Sequence, residues 1–487
     1  MAHNHQAFDI ASLMTPPPPS AASKRLSLIG VAALLATVTN AVTFMLPPLL
    51  PLMQAKFALG LSDETWIFTA LTLGGGAGFV LLPRLADVLS DRTTALLSGS
   101  ILTLGALIPA IGNSYPTIVL GCALLGFGSS AQLLPIGFLR RHLPGSKVST
   151  AVSVLIMATG TGVVAGMIGG GLTVRSLSIA SFFWILVLVS AATTVALMVI
   201  VPSAKPESAG KIGVFGTVWM LGWLTAVLLT FTQGLVWGDV VLVPLVAGIV
   251  GGITWMRAQR RSATAVFDLK LLKMPFVGVA LLSAGLFGAV DAGFLLLVSY
   301  YTQTPRGAGY GLGVDALGTG LLMLPFALTM FISGKVAEKR VANGRPGEVL
   351  VLGASISAFG LAFLVVAHRQ WWEYLVGAAL IGLGSRAGYS GAFAVPQLLV
   401  PERKAGMAAG MAGTTMAIGI AFGSALITGV LSADTDPVTH LPTASLYTVG
   451  YVVTLACALL ILVATLVSQL RHHGEFKALL RQSGVLA

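Results

Sequence analysis

The chain has 487 residues, of which 56% are hydrophobic and only 9% charged, with 58 glycines. Soluble domains carry about 25% charged residues, so this composition excludes a water-covered globule. The formal net charge of +11 invites nucleic-acid binding, and only the placement of the charges rejects it.

Residues 1–23, with Pro16 to Pro19 in a row, read as a disordered tail. After it come fourteen apolar runs. A hydrocarbon core of roughly 30 Å needs about 20 apolar residues per helix. The expected spans are 26–50, 65–85, 94–113, 116–138, 149–172, 180–201, 213–235, 239–256, 276–300, 316–334, 347–367, 374–398, 405–431 and 445–469, and residues 471–487 form a second tail. The runs are continuous rather than alternating, which excludes a membrane β-barrel. The first run is too long for a signal peptide and lacks a cleavage site, so its retention is expected. Gly-rich helices suit close backbone packing in lipid.

The connectors alternate in charge. With residue 1 on the cytoplasmic side, the 28 basic residues fall on that side except Lys56, Arg175, Arg306 and Arg369, and except Arg386 inside a span. This is the positive-inside pattern, with both termini cytoplasmic. The basic excess therefore reports topology and attraction to anionic headgroups, not nucleic acid.

The chain also repeats itself. Leu-Leu-Gly-Phe-Gly-Ser-Ser-Ala at 124–131 returns as Leu-Ile-Gly-Leu-Gly-Ser-Arg-Ala at 380–387, and Pro144, Lys147, Ala151, Gly162 and Gly166 correspond to Pro401, Lys404, Ala408, Gly419 and Gly423. Parallel halves related by an axis along the membrane normal are one transporter plan. The expected organisation is a six-helix bundle at 24–204, an inserted helix pair at 205–257, a cytoplasmic linker at 258–275 and a second six-helix bundle at 276–470.

Several motifs carry a resemblance. The loop Pro83-Arg-Leu-Ala-Asp87-Val-Leu-Ser-Asp-Arg92 and its second copy Gly334-Lys-Val-Ala-Glu338-Lys339-Arg340 are similar to the Gly-x-x-x-Asp-basic loops of the major facilitator superfamily. Gly162-x-x-x-Gly166-Met167-Ile-Gly-Gly170-Gly171 resembles the antiporter motif of that family's fourteen-helix drug:proton antiporter branch, with Met167 in place of a proline. Phe267 to Phe276 and Tyr301-x-Gln303 resemble the start and end of that branch's ninth helix. Two positions depart: Val38 stands where the branch has an Asp in span 1, and Cys122 where it has an Arg in span 4. Those charges are tied to proton coupling in relatives, so the departures put the usual coupling site in question.

The resemblance implies an all-α polytopic protein of major-facilitator type in the plasma membrane, a bacterial inner membrane in this branch. It implies a monomeric secondary transporter that expels amphipathic or hydrophobic small molecules by alternating access, driven by protons. The alternatives are a metabolite exporter or uniporter without that coupling, and a sensor or scaffold that does not transport. No phosphate loop and no His-Glu-x-x-His pattern is present, so neither an enzyme, nor a cofactor, nor a metal is expected. Cys122 and Cys457 read as buried packing residues.

Asp291 in span 9 and Arg386 in span 12 are the intramembrane charges, about one turn apart in depth. A charge there costs about 2.5–3.5 kcal/mol on insertion scales and demands a partner or a wet cavity. They form either a titrating site or a fixed ion pair. Asn40, Thr43, Gln132, Tyr300, Tyr301 and Tyr389 are candidate cavity residues, with helix-to-helix hydrogen bonding the plainer role. Asp87 with Arg92, and Glu338 with Lys339, are expected to tie cytoplasmic helix ends together, and Gly162, Gly166, Gly170 and Gly171 to allow close helix packing.

Overall fold

A computed structural model describes residues 19–135, 139, 142–143, 145–176, 178–202, 214–261, 271, 274–399, 402–435 and 441–482. Fifteen α-helices run through them: α1 (Pro19–Phe44), α2 (Leu46–Phe57), α3 (Leu61–Val88), α4 (Asp91–Gly112), α5 (Tyr115–Ser129), α6 (Gly145–Ser176), α7 (Ile179–Ile200), α8 (Val214–Trp237), α9 (Leu242–Arg261), α10 (Pro275–Gln303), α11 (Ala316–Ala342), α12 (Pro346–Val366), α13 (Trp371–Leu398), α14 (Glu402–Leu431) and α15 (Ala444–Gln482). Nine of the helices among the described residues are long and apolar enough to cross a bilayer. Helices are the expected solution, because every peptide group in lipid must find its partner within the chain.

Local chemistry sets where helices start and stop. Ser90, Ser178 and Asp315 accept the backbone N–H of Thr93, Ser181 and Gly318 and so cap α4, α7 and α11. Pro275 and Pro346 begin α10 and α12, where a missing N–H costs nothing. The first expected span is in two pieces, because Pro47 and Pro48 follow Met45 and end the ladder of α1. The fourth tightens into a 3-10 turn at Ser130–Leu133. Ser129 and Ser130 turn their hydroxyls back onto the Gly126 carbonyl there, which competes with helix propagation.

Helix extends into both expected tails. α1 already runs from Pro19, and α15 continues to Gln482, well past 471. A helix that leaves the bilayer with its ladder intact needs no apolar side chains to continue. Residues 1–18, 203–213 and most of the 258–275 linker lie outside the described residues.

The sequence repeat is a packing repeat. A Cβ on Gly126 of α5 would strike the Leu71 carbonyl of α3, and one on Gly128 would strike Leu102 and Ser98 of α4. In the second copy, Gly382 of α13 lies against the Phe326 carbonyl of α11, and Gly384 against Ser357 and Gly353 of α12. Likewise Gly162 and Gly166 seat α6 on Thr37 and Ala41 of α1, as Gly419 and Gly423 seat α14 on Gly285 and Ala289 of α10. Backbone contact at these points leaves no room for any side chain, which explains why the glycines recur at one spacing.

Two seams join the copies. α3 runs along α14, with Thr65 Oγ1 bonded to Thr428 Oγ1 at 2.5 Å and Phe79 against Gly413. α6 runs along α11, where Gly320 sits on the Met167 carbonyl and Gly171 on Leu317. α8 lies against both α3 and α14, with Leu228 among Ala421 and Ala425. α9 touches α8 through Gly248 and Trp255, and turns Leu242, Val243, Val246 and Ile249 outward. An exposed aliphatic face on a helix of this kind suits lipid.

Candidate functional site

Asp291 lies a little past the middle of α10 and is buried, on the side that meets α13 rather than the outside of the bundle. Ser385 Oγ donates to its Oδ1 at 2.5 Å, and the Tyr389 hydroxyl, one turn on, interacts with the same carboxyl. Phe287 packs on Tyr389 with ring centroids 5.7 Å apart and closes the apolar wall. The spacing of Ser385 and Tyr389 is four residues, so a single face of α13 presents both hydroxyls.

Arg386 does not join this group. Its guanidinium bonds Glu338 Oε1 on α11 at 3.3 Å, with side-chain exposures of 31% and 44%. The expected Asp291–Arg386 pair is therefore corrected. Consecutive helical residues point about 100° apart, so Ser385 faces α10 while Arg386 is turned toward α11. The long side chain crosses the bare surface of Gly334, whose hypothetical Cβ would lie 3.0 Å from Nε. Gly334 and Glu338 of the second loop motif thus act together: one makes room for the arginine and the other holds its charge.

A small cleft opens beside it on the α6–α11 seam, lined by Thr159, Gly160, Val163, Met330, Phe331 and Arg386.

The other expected residues divide. Asn40 is buried and its Nδ2 donates to the Ala36 carbonyl at 2.8 Å, while Thr43 Oγ1 donates to the Thr39 carbonyl. Both satisfy their own helix. Gln132 sits half-buried in the 3-10 turn after α5. Tyr301 belongs to an aromatic cluster with Tyr310, His368, Tyr374 and Tyr447, at the end of the molecule where α10 stops. Tyr300 is buried against the α3 residue Glu64. Arg92 donates to the Met198 carbonyl at 2.6 Å and caps the end of α7, whereas the side chain of Asp87 lies outside the described residues. Lys339 is exposed, and Glu338 takes Arg386 in its place. Gly162, Gly166 and Gly170 pack on α1 and α2, and Gly171 on the start of α11.

Two site residues escaped the sequence. Ser385 stands in the repeat opposite Ser129, and a serine beside two glycines carries no signal of its own. Glu64 reads as an ordinary acidic first turn of α3, beside Asp63. The helix phase exposes Asp63 and buries Glu64 completely.

The sequence matches the model of the Major Facilitator Superfamily over residues 32–424 and 307–479. The chain belongs to that family. Among curated relatives, it is similar to the multidrug resistance protein Stp of Mycobacterium tuberculosis, 26% identical over 79% of this chain and 72% of that one. It is 25% identical to the multidrug efflux pump LfrA of Mycolicibacterium smegmatis, over 85% and 82% of the two chains. It is also 25% identical to a tetracenomycin C resistance and export protein of Streptomyces glaucescens, over 79% and 71%. These relatives bear out the drug:proton antiporter branch. The fold is shared with the nucleoside transporter NupG, at a TM-score of 0.64 and 12% identity over 91% of this chain and 99% of that one. The POT family transporter PepTSo also has a TM-score of 0.64, at 14% identity over 95% and 99%. Membership makes this a multi-pass membrane transport protein and not an enzyme.

Proposed function

We propose that this member of the major facilitator superfamily expels amphipathic or hydrophobic small molecules in exchange for protons, by rocking two six-helix bundles about the α3–α14 and α6–α11 seams. The bundles correspond to residues 24–204 and 276–470, with α8 and α9 as an inserted pair that completes fourteen spans. The basic-rich end faces the cytoplasm of a bacterial inner membrane, and the chain works as a monomer. Curated relatives named for multidrug efflux support the substrate class.

The observation that carries the coupling is Asp291 itself. Its carboxyl is buried against two neutral hydroxyls while Arg386, the expected counter-charge, is paired elsewhere. An ionised carboxylate with no cation is costly to bury, so this packing suits the protonated acid. Loss of the proton would then require water or a rearrangement of α10 against α13, which is the property a coupling site needs. Val38 and Cys122 remove the branch's usual charges from the first copy, leaving Asp291 to serve in the second.

Proteoliposomes test the reading without regard to orientation. With an acidic lumen, an antiporter lets protons leave as an amphipathic dye such as ethidium is drawn in. Dye accumulation that collapses with a protonophore is the expected result. Accumulation indifferent to the pH gradient would refute proton exchange, and no flux under any gradient would favour a scaffold.

A further inference from the structure

A second buried carboxyl lies at the opposite end of the molecule from the loop motifs, apart from Asp291 and Arg386. Glu64 is in the first turn of α3, fully inaccessible, and neither carboxyl oxygen has a hydrogen bond of ordinary geometry, its polar neighbour being the Tyr300 hydroxyl. Across the seam is Tyr300, near the end of α10, whose hydroxyl also lacks a bond of ordinary geometry. Thr65, the next residue, bonds Thr428 of α14 at 2.5 Å, and nearby Gln303 of α10 donates to the Pro48 carbonyl of α2 at 3.0 Å. Glu64 is therefore sealed between the two copies of the repeat at the basic-poor end, where they are in contact.

We propose that Glu64 is a proton-operated latch: protonated, it lets the two halves close over it at the basic-poor end, and ionised, it holds them apart. The inference rests on the transporter reading and adds a regulatory site to it. Its surroundings leave the carboxyl few alternatives. From α10 it faces Tyr300, behind which stands Tyr447 of α15. From α14 it meets the hydroxyl of Thr428 through Thr65. Neighbouring charges point elsewhere: Asp63 is exposed, and Lys56 of α2 bonds Asn113 at 2.8 Å. Among the described residues no cation pairs with Glu64.

An uncompensated carboxylate cannot remain in such a seam, whereas a neutral acid can. Opening the seam would expose Glu64 to water within one helical turn of Gly60 and Asp63, which are already exposed. Proton uptake and closure are thus one linked equilibrium. By linkage, one proton bound only in the closed form changes the closed-to-open ratio by up to about tenfold per pH unit. If that end is extracellular, a proton taken from outside would close the outer side and favour opening inward. That is the direction a proton-driven exporter needs.

The test reads the seam rather than transport. Spin labels at Ala55→Cys and Gly307→Cys flank it on exposed positions of the two copies, and native Cys122 and Cys457 are buried. In lipid nanodiscs, the short-distance population of the full chain should fall as pH is raised. Glu64→Gln, neutral at every pH, should keep that population constant and closed, while Glu64→Asp should restore a titration with a displaced midpoint. A pH-independent distance in the parent, or an unchanged titration in Glu64→Gln, overturns the latch. The proton-exchange reading fails separately: dye uptake that ignores the gradient, beside a seam that still titrates through Glu64, would remove that reading and leave the latch standing.

Discussion

Replacing Glu338 by Gln removes the partner of Arg386 and keeps the shape of the side chain. At 3.3 Å, Coulomb's law gives about 1.3 kcal/mol in the dielectric of water and about 5 kcal/mol at an effective value of 20. The side chains are 31% and 44% exposed, and at a wetted surface the weaker limit applies. Ordering two long side chains offsets part of it, leaving about 0.2–1 kcal/mol, typical of an exposed pair. That shifts an equilibrium between two states about fivefold at most, enough for a switch and too little to hold a fold. A double-mutant cycle of Glu338→Gln and Arg386→Gln, followed by unfolding in mixed micelles, should therefore return a coupling below about 1 kcal/mol. The melting temperature should move by less than about 2 °C, while dye flux falls several-fold. A coupling above about 3 kcal/mol would show that the pair is shielded from water and acts as a structural tie instead of a switch. Unchanged flux would make the pair idle.

Further outcomes follow from the packing. Gly166→Leu and Gly423→Leu, at matching points of the repeat, should each abolish the monodisperse peak in fluorescence-detected size exclusion, because the new side chain meets backbone of α1 or α10. The milder Gly166→Ala should cost about 1–3 kcal/mol, the usual range for overpacking, and a normal melting curve would contradict the contact. His368, in the connector between α12 and α13, is held below its usual value of 6.5 by burial. Below that value the unfolded chain binds the proton more readily than the folded one, so stability is lost as pH falls from about 6.5. Melting temperatures measured from pH 7.5 to 5 should show this drop in the parent and a smaller one in His368→Phe. Ser385→Ala should shift the pH dependence of dye flux by removing a hydroxyl that bonds Asp291; an unchanged profile would make the bond merely structural.

The sequence revealed most where geometry is periodic. Glycines at 126, 128, 162 and 166 and their partners at 382, 384, 419 and 423 were legible because a backbone contact tolerates one residue type only. The partner of Arg386 was not legible. Depth along a helix can be counted from a sequence, but rotation toward α10 or α11 depends on packing among helices far apart in the chain. Arg92 went astray for a related reason: the carbonyl of Met198 lies 106 positions away and carries no signal of its own. Glu64 was hidden by a local pattern that explains it equally well, an acidic residue in the first turn of a helix.

The central claim is that Asp291 carries the exchanged proton, and it separates exchange from coupling. In proteoliposomes loaded with unlabelled dye at equal pH on both sides, Asp291→Asn should still swap labelled for unlabelled dye, since alternation with bound substrate needs no net proton movement. The same variant should no longer concentrate dye when the lumen is made acidic. Gradient-driven accumulation by Asp291→Asn at the parent's rate would contradict the account.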